Sequence, residues 1–143
     1  MTTHDSDRKA PWHLWTVGIL TLLWNGSGAF TIMMAQAGKL ANLSADEAAY
    51  YASQPTWLVI LVDVAVIAPV LGGIALLLRS RFAVLLFAIG LATVICADIY
   101  DLAAGTSRSL VNPAAMIVTA VILVIAILQL WYSRAMRSRG VLR

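Results

Sequence analysis

Charged residues are scarce in this chain: they make up 12% of its 143 residues, whereas 61% are hydrophobic. About a quarter of the residues of an ordinary soluble domain are charged. The scarcity is uneven, because four nearly uncharged stretches each hold the roughly 20 residues that a helix needs to cross a bilayer. These stretches predict spans at 14–35, 57–78, 82–104 and 110–131. We therefore expect an all-α membrane protein, with one four-span domain over 1–143.

The residues that catalysis and metal binding require are also scarce. Cys96 is the single cysteine, so no disulfide forms within the chain, and the two histidines, His4 and His13, both lie near the N-terminal end. Neither a nucleophile–base pair nor a set of metal ligands can be assembled from these residues. We expect no enzymatic activity, no metal and no cofactor.

Positive charge is concentrated on one side of the predicted membrane domain. Arg79 and Arg81 fill the short turn between the second and third spans, and Arg134, Arg137 and two further arginines follow the fourth. Excess Lys and Arg marks the cytoplasmic face, so this distribution predicts an antiparallel bundle with both termini in the cytoplasm. We expect the basic tail to meet anionic lipid head groups of the bilayer rather than nucleic acid. The two predicted tails are 1–11 and 134–143.

The longest outer connection, 38–56, is predicted to contain a short helix near 45–52. Ser44 and Glu47 match a capping box, in which each side chain bonds to the backbone N–H of the other residue. This helix is expected to lie at the outer membrane interface. It serves there either as an anchor or as a lid over the outer opening.

Two spans carry a stripe of small and hydrogen-bonding residues at helical spacing. The first span has Gly18, Thr21, Asn25 and Gly28 on one face, and the fourth has a mixed stripe that includes Thr119. Small residues let membrane helices approach closely, so both stripes are predicted to serve helix packing. Two interpretations of Asn25 remain: a hydrogen bond to a neighbouring span, or contact with a ligand or ion near the bilayer centre.

Three aspartates, Asp63, Asp98 and Asp101, lie within or at the edge of apolar spans, where an isolated carboxylate is costly. The predicted topology brings Asp63 and Asp98 to a similar depth in the outer half, and Asp101 shares the face of Asp98. Two such carboxylates cannot both ionise cheaply, so we expect a shared proton or a bound cation. The structural alternatives are a wet interface for Asp101, pairing of Arg108 with Asp98 or Asp101, and a hydrogen bond that the Asp63 carboxylate accepts from Asn25, Thr93 or Asn112.

Three stretches carry recognisable motifs of glycines and boundary arginines. They are Trp-Asn-Gly-Ser-Gly-Ala-Phe at 24–30, Leu-Gly-Gly and Leu-Leu-Leu-Arg-Ser-Arg within 71–81, and Arg-Ala-Met and Gly-Val-Leu-Arg within 134–143. These motifs resemble those of small, uncharacterised four-span inner-membrane proteins of bacteria, some of which bear the label sugar transporter. The resemblance implies a multi-pass protein of the bacterial inner membrane. Members of that group often carry Asp-Tyr after Gly-Ala-Phe, where this chain has Thr31-Ile32.

Two functional hypotheses follow from these patterns. The first is an accessory or structural membrane subunit, which contacts the lipid bilayer and either a second copy of itself or a larger membrane complex. The second is a small oligomeric transporter or channel that couples to protons or cations through Asp63 and Asp98. Sugar transport lacks support, because the sequence has neither a mid-membrane cluster of sugar-stacking aromatics nor a sugar-binding acid–amide motif.

Overall fold

The computed structural model describes residues 11–105 and 113–143, and it is all-helical over those ranges. The five helices are α1 (Trp12–Gln36), α2 (Ala45–Ser53), α3 (Thr56–Leu77), α4 (Phe82–Ala103) and α5 (Pro113–Ser138). Four of them, α1, α3, α4 and α5, are long and apolar enough to cross a membrane, which indicates a membrane protein. The expected all-helical class and the four candidate spans are thus confirmed.

The helix bounds follow the hydrophobic pattern closely at three of the four predicted spans. The helices α1, α3 and α4 begin and end within two residues of those spans. The short helix α2 has the predicted capping box: the Glu47 N–H donates to the Ser44 hydroxyl, and the Ser44 N–H donates to the Glu47 carboxylate. The predicted start of the fourth span, 110–112, lies outside the described residues.

The last helix, α5, differs from the prediction because it continues to Ser138, seven residues beyond the expected end of the fourth span at Trp131. The added residues are not a free tail. Ser133 is fully buried and Met136 is 2% exposed, since this part of the helix packs into an apolar cluster. Much of the predicted cytoplasmic tail 134–143 is therefore helical and packed against the rest of the protein.

Beyond α5 the chain folds back onto the turn between α3 and α4. Gly140 adopts a φ of 70°, and the next N–H, of Val141, donates to the Met136 carbonyl at 3.0 Å, which ends the helix in a Schellman motif. Val141 and Leu142 are each 5% exposed. They complete an apolar cluster whose other buried members are Leu14, Ala75, Leu76, Ala83, Val84, Phe87 and Met136.

Backbone hydrogen bonds hold this returning segment against the α3–α4 turn. The Arg81 N–H donates to the Arg143 carbonyl at 2.9 Å, and the Arg143 N–H donates to the Arg79 carbonyl at 2.7 Å. The Arg79 side chain adds a bond from Nε to the Val141 carbonyl at 3.2 Å. We call this end of the molecule, with its arginines, the basic end.

The contact between α3 and α4 depends on glycines that let the two helices approach closely. A methyl group built on Gly90 would lie 2.5 Å from Cγ of Pro69, and one on Gly72 would lie 2.9 Å from the ring of Phe87. Both distances are shorter than real Cβ contacts. The α3–α4 contact therefore has no room for even one added carbon at these positions.

The contact between α1 and α3 follows the same rule. A methyl group on Gly18 would collide with the Leu77 side chain, and one on Gly73 would lie 2.9 Å from Leu22. Thr21, which is 5% exposed, lies in the same contact. Small residues on both helices thus bring α1 against α3.

The helices pack in the order α1, α3, α4 and α5, and within the described residues α1 and α5 do not pack along each other. A side-chain contact joins them near the basic end, where Nδ1 of His13 and the hydroxyl of Tyr132 lie 2.7 Å apart. Gly28, which was predicted to serve packing, lies in open space, because a methyl group there would meet no atom within 4 Å. Thr119, which was also predicted to serve packing, lines the space between the helices.

The glycine contacts can be tested with two matched alanine substitutions. Gly90→Ala should lower the free energy of unfolding by about 1–3 kcal/mol, because the rigid Pro69 ring cannot move aside. Gly28→Ala should leave it unchanged or raise it by about 0.4–1 kcal/mol, because the methyl group enters open space and restricts the unfolded chain. Unfolding in mixed micelles of dodecyl maltoside and sodium dodecyl sulfate measures both. Equal stabilities of the two variants would contradict the packing described here.

Candidate functional site

A cavity of about 680 Å³ lies between the helices, and all five helices contribute residues to its wall. It exists because α1 and α5 are held apart while both are linked to the α3–α4 pair. Volumes of roughly 300–1,000 Å³ are typical of sites that bind small molecules. The cavity is therefore the candidate functional site.

Most of the cavity wall is apolar. The helix α4 contributes Phe87 and Val94, and α5 contributes Ile122 and Ala126. Polar groups interrupt this wall at a few places, including Gln129, which is 9% exposed. An apolar wall with a few polar groups suits a ligand with a largely apolar body.

The cavity extends along α4 from Phe87 to Asp101, which corresponds to roughly 21 Å at 1.5 Å per residue. Phe87 also belongs to the apolar cluster at the basic end, so that cluster forms the floor of the cavity. The opposite end is polar. We call it the polar end, and it is formed by Tyr50, Tyr51, Gln54, Asp98 and Asp101.

A short hydrogen bond joins α2 to α4 at the polar end. The Tyr50 hydroxyl donates to Oδ2 of Asp101 at 2.6 Å. Burial raises the pKa of the Tyr50 phenol well above its usual value, and the hydrogen bond to Asp101 and the charge of that carboxylate raise it further, while a hydrogen bond with Gln54 opposes them. The neutral phenol is thus favoured in the folded state. Its stabilising effect is complete below the pKa of the unfolded chain and is lost as the pH rises through the higher folded pKa.

Two oxygen atoms at the polar end are buried without a hydrogen-bond partner among the described residues. They are Oδ2 of Asp98 and Oε1 of Gln54. Both atoms are acceptors, and leaving a buried acceptor unsatisfied costs about 1–3 kcal/mol. A ligand that donates hydrogen bonds would remove that cost.

The cavity brings together two of the three aspartates singled out in the sequence. Asp98 and Asp101 line it from the same face of α4, whereas Asp63 does not line it. The expected pairing of Asp63 with Asp98 is therefore not a feature of this site. A similar depth in the membrane does not by itself bring Asp63 to the cavity that Asp98 lines. On α3 it is Val62 that lines the cavity, and the next residue, Asp63, points about 100° further round the helix axis.

The hydrogen bonds that were expected to hold Asp63 are made elsewhere. Nδ2 of Asn25 donates to the Thr21 carbonyl within α1, and the Thr93 hydroxyl donates to carbonyls within α4. Oδ1 of Asp63 is buried without a partner among the residues described. The remaining candidate partner of Asp63, Asn112, lies outside the described residues, and so does Arg108, the expected partner of Asp98 or Asp101.

Asn25 lines the cavity, and so do Gly28 and Thr119, which were predicted to pack against neighbouring helices. The hydrogen bond that Asn25 donates stays within its own helix, so it does not link two spans. Asn25 and Gly28 on α1 thus lie on one side of the cavity and Thr119 on α5 on the other, whereas Gly18 and Thr21 pack against α3. The three residues that line the cavity are in position to contact a ligand.

Several polar residues that line the site had not been singled out as site residues, among them Tyr50, Tyr51, Gln54 and Gln129. Tyr50 and Tyr51 of α2 lie four and three positions before Gln54, the residue that follows its last turn, and this spacing was the available signal that one face of the segment is covered. Gln129 continues the stripe that contains Thr119. Neither pattern identifies a site by itself, because what each face contacts depends on the positions of α2 and α5 in the folded protein.

No group of three or more His, Cys, Asp or Glu that could hold a metal ion occurs among the described residues. Comparisons of the chain with protein families, with curated proteins and with solved structures find no match. Function must therefore be argued from the cavity itself.

The hydrogen bond between α2 and α4 makes a testable prediction. Tyr50→Phe should loosen α2 and increase hydrogen–deuterium exchange of its amides by roughly tenfold, the effect of losing about 1.4 kcal/mol. Mass spectrometry of the protein in lipid nanodiscs measures this exchange.

Tyr100→Phe is the matched control. Tyr100 precedes Asp101 on α4, and its ring packs edge-to-face on Trp57 with the ring centroids 4.7 Å apart, a contact that phenylalanine retains. This variant should leave exchange of α2 unchanged. If both variants or neither loosened α2, the assigned role of the Tyr50 hydroxyl would be wrong.

Proposed function

We propose that the protein is an integral membrane protein that binds a small, largely apolar molecule within the bilayer and performs no reaction on it. The observation that carries this proposal is the cavity of about 680 Å³ lined by all five helices. Its volume, its mainly apolar wall and its few polar groups are those of a small-molecule site. A purely structural role is less well supported, because Gly28 and Thr119, which were expected to serve packing, line this cavity. The other stripe residues of α1, Gly18 and Thr21, do pack against α3.

The proposed setting is the inner membrane of a bacterium, with antiparallel spans and both termini in the cytoplasm. The packing supports antiparallel neighbours, since Gly72 lies against Phe87 and Pro69 against Gly90, so residue numbers fall along one helix as they rise along the next. The arginines at the basic end support a cytoplasmic location for that end. Large exposed apolar side chains, such as Leu23 at 66% and Ile117 at 64%, are suited to lipid acyl chains.

In this orientation α2 lies at the outer interface and covers the polar end of the cavity. Tyr50, Tyr51 and Gln54 line the cavity, which supports the function of a lid. An interfacial helix that only anchored the chain would have no need to contribute to this wall. Ligand entry would then require α2 to move or the ligand to pass between α1 and α5.

A transporter is the second candidate function. The cavity is polar at one end and ends at a packed apolar cluster at the other, which is the arrangement expected of one state of alternating access. Coupling to protons or cations would then involve Asp98 and Asp101 rather than Asp63. Four spans form a narrow bundle, so such a pathway would be completed by a homo-oligomer or a larger membrane complex.

Binding can be tested with a neutral probe of the expected shape, biphenyl-4-methanol. Protein in lipid nanodiscs should retain this alcohol in equilibrium dialysis beyond the amount retained by protein-free nanodiscs. Ala126→Trp should weaken retention by at least about tenfold, because the indole would occupy the cavity and remove about 1.4 kcal/mol or more of binding energy.

Two further variants control for effects on folding. Gly28→Phe fills the cavity from the opposite wall and should also abolish retention, whereas Ile127→Trp adds the same indole at the neighbouring residue, which is 52% exposed, and should not. No specific retention by the parent protein, or equal loss in Ala126→Trp and Ile127→Trp, would rule out the proposed binding role.

A further inference from the structure

We propose that the ligand of the cavity is an amphipathic amine, with a single positive ammonium group attached to a bulky apolar body. The ammonium group would lie at the polar end, among Asp98, Asp101 and Gln54, and the body would extend along α4 and α5. This inference rests on the binding role proposed above and adds the charge and the orientation of the ligand.

The charge of the cavity wall favours a cation. Asp98 and Asp101 both line the cavity, and none of the described residues that line it is Lys, Arg or His. Carboxylates in a poorly hydrated environment are costly unless they are paired with a positive charge. A neutral or anionic ligand would leave the Asp98 carboxylate, whose Oδ2 is buried without a hydrogen-bond partner among the described residues, without that compensation, whereas one ammonium group supplies it.

The hydrogen-bonding groups of the polar end favour an ammonium ion in particular. The buried oxygens without a partner, Oδ2 of Asp98 and Oε1 of Gln54, both accept hydrogen bonds. An alkylammonium group offers three N–H donors and no acceptor, so it matches this set. A quaternary ammonium ion would carry the charge but would leave both oxygens unsatisfied.

Aromatic rings add a second attraction for a cation. Tyr50 and Tyr51 both line the polar end, and their ring centroids are 5.3 Å apart in an edge-to-face arrangement. A cation over the face of an aromatic ring is attracted by about 0.5–2 kcal/mol, depending on how far it is desolvated. Two carboxylates next to two tyrosine rings thus provide the groups that recognise organic cations.

The remainder of the cavity specifies an apolar body. From Asp98 towards the floor at Phe87, the α4 wall includes Gly90, Leu91 and Val94. Inorganic cations require several oxygen ligands close together and would make no use of this apolar surface. The apolar wall therefore favours an organic amine over a metal ion.

A matched pair of probes tests the inference. Biphenyl-4-methylamine is protonated at neutral pH and differs from biphenyl-4-methanol in replacing the hydroxyl with an ammonium group. In equilibrium dialysis against nanodiscs of zwitterionic lipid, the amine should bind the parent protein roughly tenfold more tightly than the alcohol, after subtraction of lipid-only retention. Asp98→Asn should remove most of this preference, and Asp98→Asn/Asp101→Asn should remove all of it.

Two controls keep the result interpretable. The aspartate variants should still bind the alcohol, which shows that the cavity is intact, and Asp63→Asn makes the same chemical change outside the cavity and should leave the amine preference intact. Equal binding of the two probes by the parent protein, or an amine preference that survives the double variant, would overturn the inference while leaving the binding role standing. Failure of both probes to bind would overturn the two proposals together.

Discussion

Close approach of α3 to both of its neighbours is the constraint on which the rest of the structure depends. Within a bilayer, apolar side chains gain little by leaving the lipid, so helix association relies on tight packing. Gly90 and Gly72 bring α3 and α4 together, and Gly18 and Gly73 do the same for α1 and α3. Because α1 packs on α3 and α5 packs on α4, α1 and α5 do not pack along each other within the described residues.

This separation gives the two ends of the molecule different properties. At the basic end, the segment after α5 and the contact between His13 and Tyr132 close the gap between the helices with buried apolar side chains. Towards the other end the gap is open, and it becomes a cavity with an apolar wall and a polar entrance covered by α2. The buried apolar cluster and the proposed binding cavity thus lie towards opposite ends of one small bundle.

The sequence predicts the helices well and the site only in part, for a physical reason. Hydropathy defines which residues can cross a membrane, and the Ser44–Glu47 capping box defines where α2 begins. A stripe of small residues shows that a face is not directed at lipid, but Gly18 packs while Gly28 lines a cavity. Rise per residue predicts the depth of Asp63, yet it does not predict rotation about the helix axis. The extension of α5 was missed because its burial depends on contacts with residues distant in sequence.

The most direct test of the account is the environment of Thr119 compared with that of Ile117, two residues away on α5. Spin labels on Thr119→Cys and Ile117→Cys, each in a Cys96→Ala background, would be exposed in turn to oxygen, which concentrates in lipid, and to a water-soluble nickel chelate. The two labelled residues differ in depth by only about 3 Å, so a difference in access between them reports the direction in which each side chain faces. We predict that the ratio of chelate access to oxygen access is higher for the label at Thr119 than for the label at Ile117. A Thr119 label shielded from both reagents would mean that α1 and α5 are packed together and that no cavity separates them.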